Sequence, residues 1–121
     1  MDNSTEKSGF KEKFVEVKNG ELIIKCYYFP FGVDKKVVVK ELRKLKFARQ
    51  SESYEKNWGS NWSVWWACDM KRNFRKHSED YYNVVVDNGD CFGKGFTVKD
   101  IVGFQRALRN DLHDCVIKPL V

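Results

Sequence analysis

Two Asn-Gly dipeptides, Asn19-Gly20 and Asn88-Gly89, constrain the fold of this chain more than any other feature of its sequence. Asn-Gly between alternating apolar residues is the strongest short-range signal for a β-hairpin, because both residues readily adopt the positive φ angles of a tight turn. The flanking segments, FVEVKNGELIIKCYYF and YYNVVVDNGDCFGKGFTV, are rich in β-branched and aromatic residues. They predict two antiparallel hairpins.

The sequence between these hairpins predicts three further strands. The segment PFGVDK predicts a turn, and a short strand follows from Lys36 to Val39. A brief turn at Lys40 to Leu42 then leads into a strand that ends near Arg49. The third strand is rich in tryptophan, and its alternate residues form an apolar face that we expect to point into the core: Trp62, Val64, Trp66, Cys68 and Met70.

Other positions around these strands leave alternatives open. Gly93 and Gly95 leave one face of the last strand nearly bare, which predicts either a bulge or the close approach of another element. Trp58 lies in a polar loop and Trp65 on the mixed face of its strand. The sequence therefore leaves open whether each is a core residue or an exposed binding residue.

An amphipathic helix is predicted after the second hairpin. Thr97 to Asp100 has the pattern of a capping box, with Thr97 as the N-cap. The apolar residues that follow repeat at spacings of three and four and form one stripe: Ile101, Phe104, Leu108 and Leu112. We expect this stripe to pack against the sheets.

The chain of 121 residues has the size of one domain. Residues 1–11 are polar and lack periodicity, so we predict a disordered N-terminal tail followed by a single domain at 12–121. The predicted fold class is mainly β. Its architecture is a seven-stranded antiparallel β-sandwich or partly open barrel, capped by one C-terminal α-helix.

Three segments resemble pleckstrin-homology (PH)-like domains: ELIIKCYYFPFG, WSVWWACDMKR and GFTVKDIVGFQRALR. The chain is similar to small stand-alone PH-like proteins, and this resemblance implies a binding or scaffolding module without catalysis. Many PH domains hold inositol phosphates with basic residues on the first two strands. Lys18 and Lys25 match that pattern in part, but Tyr27 stands where the pattern has an arginine, and the turn between the strands is short. The phosphoinositide motif is therefore incomplete.

The net charge is +5, from 22 Lys and Arg against 17 Asp and Glu. This modest excess allows attraction to acidic partners, phosphates or anionic membranes. The basic residues cluster in one stretch from Lys35 to Arg49 and in a second from Lys71 to Lys76. The predicted binding residues come from these clusters, with one tryptophan as an apolar anchor: Lys71, Arg72, Arg75, Lys76, Lys35, Lys36 and Trp58.

Signals for catalysis, metals or cofactors are weak in this sequence. The histidines, His77 and His113, lack a neighbouring nucleophile or metal-ligand pattern, and no phosphate-binding or nucleophile-elbow motif occurs. The four cysteines, which form no C-x-x-C pair, are predicted to be buried free thiols: Cys26, Cys68, Cys91 and Cys115. We therefore predict no catalytic residue, no metal and no cofactor.

No apolar stretch approaches the roughly 20 residues of a membrane span, and the N-terminus has no apolar signal region. These features predict a cytoplasmic protein without a transmembrane segment. The expected function is a PH-like binding module that contacts a protein partner, or more weakly an anionic membrane surface, through its basic loops. Alternatives are binding of single-stranded nucleic acid by basic and aromatic loop residues, or carriage of a small hydrophobic ligand. The oligomeric state is left open.

Overall fold

The computed structural model describes residues 9–28, 31–51, 64–67, 80–90 and 92–119, and it is mainly β, with two sheets and an α-helix at Ile101–Leu108. The first sheet contains β1 (Phe10–Lys11), β2 (Val15–Lys18), β3 (Glu21–Tyr28) and β4 (Val33–Val38). The strands lie in sequence order, and each neighbouring pair is antiparallel. Phe10 and Lys11, placed in the predicted tail, are thus paired with β2, whereas residues 1–8 lie outside the described residues.

The first predicted hairpin is confirmed. Asn19 and Gly20 have φ angles of 55° and 78°, and Lys18 pairs directly with Glu21 across the turn. The turn after β4 is also confirmed, as a short 3-10 helix at Val39–Glu41.

The second sheet contains β5 (Lys44–Arg49), β6 (Val64–Trp66), β7 (Tyr82–Asp87), β8 (Gly93–Val98) and β9 (Val116–Pro119). Their order in space is β6-β8-β7-β5-β9. The central pairs β5/β7 and β7/β8 are antiparallel, so the strands of the second predicted hairpin pair as expected. The described strands form two sheets and no closed barrel.

The two outer strands correct the prediction of a wholly antiparallel fold, because β6 runs parallel to β8 and β9 runs parallel to β5. A hairpin forces antiparallel pairing, but a helical crossover allows the chain to return in the same direction. The helix α1 (Ile101–Leu108) provides such a crossover between β8 and β9. The sequence of β9 gave no strand pattern, so its pairing was missed.

The predicted start of α1 is wrong by three residues. Asp100 is the N-cap, and its carboxylate accepts a hydrogen bond of 2.9 Å from the Gly103 amide. Thr97 is instead a buried residue of β8 whose hydroxyl lies 3.4 Å from the Asn83 side-chain oxygen. The reason is that β8 keeps pairing with β7 through Val98, so the helix can begin only afterwards.

A carboxylate from the start of the chain fixes this end of the helix. Both oxygens of Glu12 accept hydrogen bonds of 2.8 Å, one from the Lys99 amide and one from the Asp100 amide. Backbone amides that precede a helix are often left without partners, and a negative charge there is favourable. Glu12 therefore ties the first sheet to the helix across most of the chain.

The core lies between the two sheets and is covered by α1, as predicted. Ile101, Phe104 and Leu108 are buried, and Leu112 lies beyond the helix in a half-buried position. The Phe104 ring has edge-to-face contacts with Phe10 and Phe96, each at 5.6 Å between centroids. One helix residue thus contacts both sheets.

The orientation predicted for the Trp-rich strand is wrong where it is described. Ala67, assigned to the outer face, is in the core cluster, whereas Val64 and Trp66 are half-buried and outside it. The reason is the register of β6, which places Trp66 beside Gly95 on the outer face of the sheet. A methyl group on Gly95 would lie only 2.5 Å from the indole ring, so the glycine allows the close approach that the bare strand predicted. Trp62, Cys68 and Met70 lie outside the described residues.

Candidate functional site

The structure describes two of the seven predicted binding residues. Lys35 and Lys36 lie on β4, and the remaining five are outside the described residues: Trp58, Lys71, Arg72, Arg75 and Lys76. For those five the binding surface stays a prediction. The register and the exposure of β4 define how Lys35 and Lys36 are placed.

Lys35 and Lys36 point to opposite faces of the first sheet. Lys35 pairs with Ile24, which is buried in the core, and Lys36 pairs with Ile23 on the outer face. Residues directly opposite each other in a sheet share a face, and successive residues alternate. Lys35 is half-buried and Lys36 is exposed. The two lysines are neighbours in the sequence, but they lie on different faces of the sheet and do not form one flat patch.

β4 is an edge strand. It pairs with β3 on one side, and no other strand in the described part of the chain pairs with its free side. Val33, Asp34, Lys36 and Val38 are exposed, and Val33 is accessible over 53% of its surface. An edge strand presents N–H and C=O groups that a further strand can pair with. Within the described residues, the free side of β4 is therefore not covered by another strand.

The turn before β4 presents an aromatic side chain to solvent. The amides of Phe31 and Gly32 donate hydrogen bonds of 2.9 and 3.0 Å to the Tyr28 carbonyl, and Gly32 has a φ of 72°. Phe31 is 81% exposed, and Lys35 Nζ lies 5.8 Å from the centroid of the Tyr28 ring. The turn thus exposes the Phe31 ring, while Lys35 lies over the neighbouring Tyr28 ring.

A bulge in β3 supports this turn. Cys26 has a φ of 52°, and the register with β4 shifts between Ile24 and Tyr28. The Cys26 amide donates a hydrogen bond of 2.9 Å to the carboxylate of Asp34, which fixes the irregular position. The extra residue turns Tyr27 inward, and burial raises the pKa of its hydroxyl well above the usual range.

The loop between β7 and β8 is organised around a lysine that the sequence analysis did not single out. Lys94 is only 2% exposed. Its Nζ contacts Asn88 Oδ1 at 3.0 Å, the Phe92 carbonyl at 3.1 Å and the Asp90 carboxylate at 3.2 Å. The hydrogen bond and the charge of Lys94 lower the pKa of Asp90, and the charge of Lys35 lowers it further. The loop and β4 are thus close enough for their charges to interact.

The thiols and imidazoles do not converge in the described part of the chain. The Cys26 and Cys115 side chains are half-buried, and burial raises the pKa of the Cys115 thiol. His113 lies 3.6 Å from the carboxylate of Asp114, and both side chains are exposed. No group of three or more His, Cys, Asp or Glu side chains among the described residues is arranged to hold a metal ion. Cys68, Cys91 and His77 are outside these residues.

Comparisons with known proteins provide no relative. No protein-family model matches the chain, and searches of curated proteins and of solved structures find no match. The resemblance to PH-like domains therefore stays a prediction. In the described part of the chain, no helix has the length and apolar character needed to cross a membrane.

Proposed function

We propose that this chain is a non-catalytic binding module of PH-like architecture, and that the β4 edge takes up an extended acidic segment of a partner protein. The β-strand arrangement supports the architectural part of the proposal. When the parallel outer strands β6 and β9 are set aside, seven strands remain with antiparallel neighbours in two sheets. The helix α1 then packs its Phe104 against both sheets.

The exposed edge of β4 carries the proposal for partner binding. A peptide that adds to a sheet edge is held by main-chain hydrogen bonds, while its side chains alternate between the two faces. Lys35 and Lys36 lie on opposite faces of β4. Neighbouring side chains of a strand laid along this edge also point to opposite faces of the sheet. Such a strand can therefore contact both lysines, whereas a ligand on one face would contact only one of them.

The charges select the kind of strand. Lysines on an edge oppose pairing with apolar or basic strands, which is how many proteins avoid aggregation. Lys36 has no ion-pair partner among the described residues, and Lys35 contacts the Tyr28 ring. Opposite charges placed across a strand pair are favourable, so an acidic segment is the preferred occupant.

A selection from displayed random peptides, followed by affinity measurements, tests this proposal. We expect the selected peptides to be acidic and rich in β-branched residues. The double variant Lys35→Glu/Lys36→Glu should bind them about tenfold more weakly, because two favourable charge contacts become repulsive. The matched control is Arg106→Glu/Arg109→Glu, which changes the charge equally at two exposed positions of α1 and the turn after it. Equal losses in both variants, or selected peptides without acidic residues, would contradict the proposal.

The exposed Phe31 favours a second candidate, attachment to an anionic membrane surface. An exposed aromatic ring at a turn tip can enter the headgroup region while the lysines of the following strand contact anionic lipids. Phe31→Ser should abolish sedimentation with vesicles containing phosphatidylserine and leave acidic-peptide binding intact, because Phe31 lies outside β4. Equal sedimentation on neutral vesicles would exclude the electrostatic part of this candidate.

The other two hypotheses rest on features that the described residues do not include. Nucleic-acid binding depends on the basic loop at 71–76, with Trp58 or Trp65 to stack bases, and this loop lies outside the described residues. Carriage of a small hydrophobic ligand depends on an apolar cavity, whereas the described side chains between the sheets form a packed cluster that includes Leu22, Val84 and Phe96. Both stay predictions.

A further inference from the structure

A groove lies on the outer face of the second sheet, where the paired residues form two adjacent rows. Lys44 is opposite Asp87, and Lys46 is opposite Val85. On the far side, Val64 is beside Gly93. These residues and Asp90 enclose a cavity of about 220 Å³. Its lining residues are Lys44, Lys46, Val64, Val85, Asp87, Asp90 and Gly93.

Glycine keeps the floor of this groove open. A methyl group on Gly93 would lie 3.1 Å from Val85 Cγ1 and 3.5 Å from Val64 Cγ2. The two valines therefore form apolar walls on either side of Gly93. The Trp66 ring covers the next glycine of β8, Gly95, and limits the groove along the strand.

The carboxylates of the groove already have hydrogen-bond donors, but its lysines have no ion-pair partner. Asp87 accepts a hydrogen bond of 2.8 Å from the Gly89 amide, and Asp90 lies 3.2 Å from Lys94 Nζ. Within the part of the chain that the structure describes, neither Lys44 nor Lys46 has an ion-pair partner. The unused charges that face the cavity are thus positive.

The surrounding loop adds to the positive charge. The Arg43 guanidinium lies against Gly89, where the position of a Cβ atom would be 3.0 Å from Arg43 Cζ. The groove and its rim thus contain three cations, Arg43, Lys44 and Lys46, and the two carboxylates of Asp87 and Asp90. Focused positive charge above an apolar floor attracts an anion that also has an apolar part.

We propose that this groove binds a small organic carboxylate, with its anionic group between Lys44 and Lys46 and its apolar body over Gly93 between Val64 and Val85. The volume is below the roughly 300–1,000 Å³ of sites for drug-sized ligands, so the ligand is a small metabolite. No residue of β4 lines the groove, and the proposal does not rest on the partner surface there.

Titration of the ¹⁵N-labelled full chain with benzoate, followed by NMR, tests this site. We expect saturable shifts of the Lys46, Val85 and Gly93 amides. Benzyl alcohol has the same apolar body without the charge, and inorganic phosphate has charge without the body, so both should bind more weakly. If benzoate causes no saturable shift at millimolar concentrations, or shifts amides elsewhere, the proposal is wrong. It is also wrong if phosphate or benzyl alcohol binds as well as benzoate.

Variants of the lining residues separate this site from general attraction of anions. Lys44→Gln/Lys46→Gln should weaken benzoate binding about tenfold or more, because two charged hydrogen-bond donors are lost. Gly93→Ala keeps every charge and fills the floor, so it should also weaken binding. The control Arg106→Gln/Arg109→Gln loses the same charge far from the groove and should bind normally. Dispersed amide spectra verify that each variant is folded, and unchanged affinity in both groove variants would overturn the proposal.

Discussion

The two Asn-Gly hairpins contain the same dipeptide but form different turns. At Asn19-Gly20 both residues have positive φ, and the strands pair up to the turn. At Asn88-Gly89 only the glycine has positive φ, and a longer loop separates β7 from β8. In the second loop Asn88 Oδ1 instead accepts hydrogen bonds from the Asp90 amide at 3.2 Å and from Lys94 Nζ at 3.0 Å. A buried lysine nearby thus decides the turn, although the dipeptide favours a tighter one.

The largest expected difference between the hairpins comes from their lysines. Lys94→Met keeps the length of the side chain but removes the donor shared by Asn88, Asp90 and the Phe92 carbonyl. We expect the free energy of unfolding to fall by about 2 kcal/mol, because part-buried hydrogen bonds from a charged donor are lost. Urea denaturation measures this change.

The matched control is Lys18→Met next to the tight turn, where the lysine is exposed. Its effect should stay within about 0.5 kcal/mol, as is usual for surface positions. Equal losses at the two positions would show that Lys94 does not organise its loop.

Glycine in place of each asparagine should have unequal effects. Asn19→Gly should change stability by less than about 0.5 kcal/mol, because glycine adopts the φ of 55° without steric cost. Asn88→Gly should cost about 1.5 kcal/mol, since two hydrogen bonds are lost and the unfolded chain gains freedom. Thermal and urea unfolding of both variants measure these changes in stability. A stabilising Asn88→Gly would contradict the role given to its side chain.

The smallest expected effect is a pH dependence confined to the second loop. The pKa of Asp90 in the folded protein is below its ordinary value of 3.8. Its contribution to stability is therefore complete above that value and is lost as the pH falls through the lower, folded pKa. The stability difference between wild type and Asp90→Asn should shrink as the pH falls below 3.8. A difference that stays constant over this range would contradict the Lys94–Asp90 interaction.

Much of the architecture follows from local patterns in the sequence. The first hairpin, the turn after β4, β5 and the buried stripe of α1 depend on residues close together in the chain, and these predictions are confirmed. The start of α1 was predicted wrongly because Thr97 fits a capping box locally, whereas pairing of β8 with β7 uses it as a strand residue. Tertiary pairing overrides the local signal there.

The parts that escaped prediction depend on distant contacts. The face of the sheet on which Trp66 lies depends on Gly95 of β8, and β9 forms a strand because it pairs with β5. For the candidate site, the sequence identified Lys35 and Lys36 but not their opposite faces, which depend on the register with β3. Lys94 was missed because an inward-facing lysine is recognisable only after its partners are placed.

Two of the edge strands, β4 and β9, provide the most direct test of the proposed function. β4 and β9 are both outer strands with exposed residues and lysines, but β9 contains Pro119, which lacks an amide donor. Amide hydrogen exchange of the full chain, with and without a selected acidic peptide, distinguishes them. We predict slower exchange of alternate amides between Val33 and Val38 and no change between Val116 and Lys118. Protection of β9, or unchanged exchange along β4 at saturating peptide, would contradict the proposal that β4 receives the partner strand.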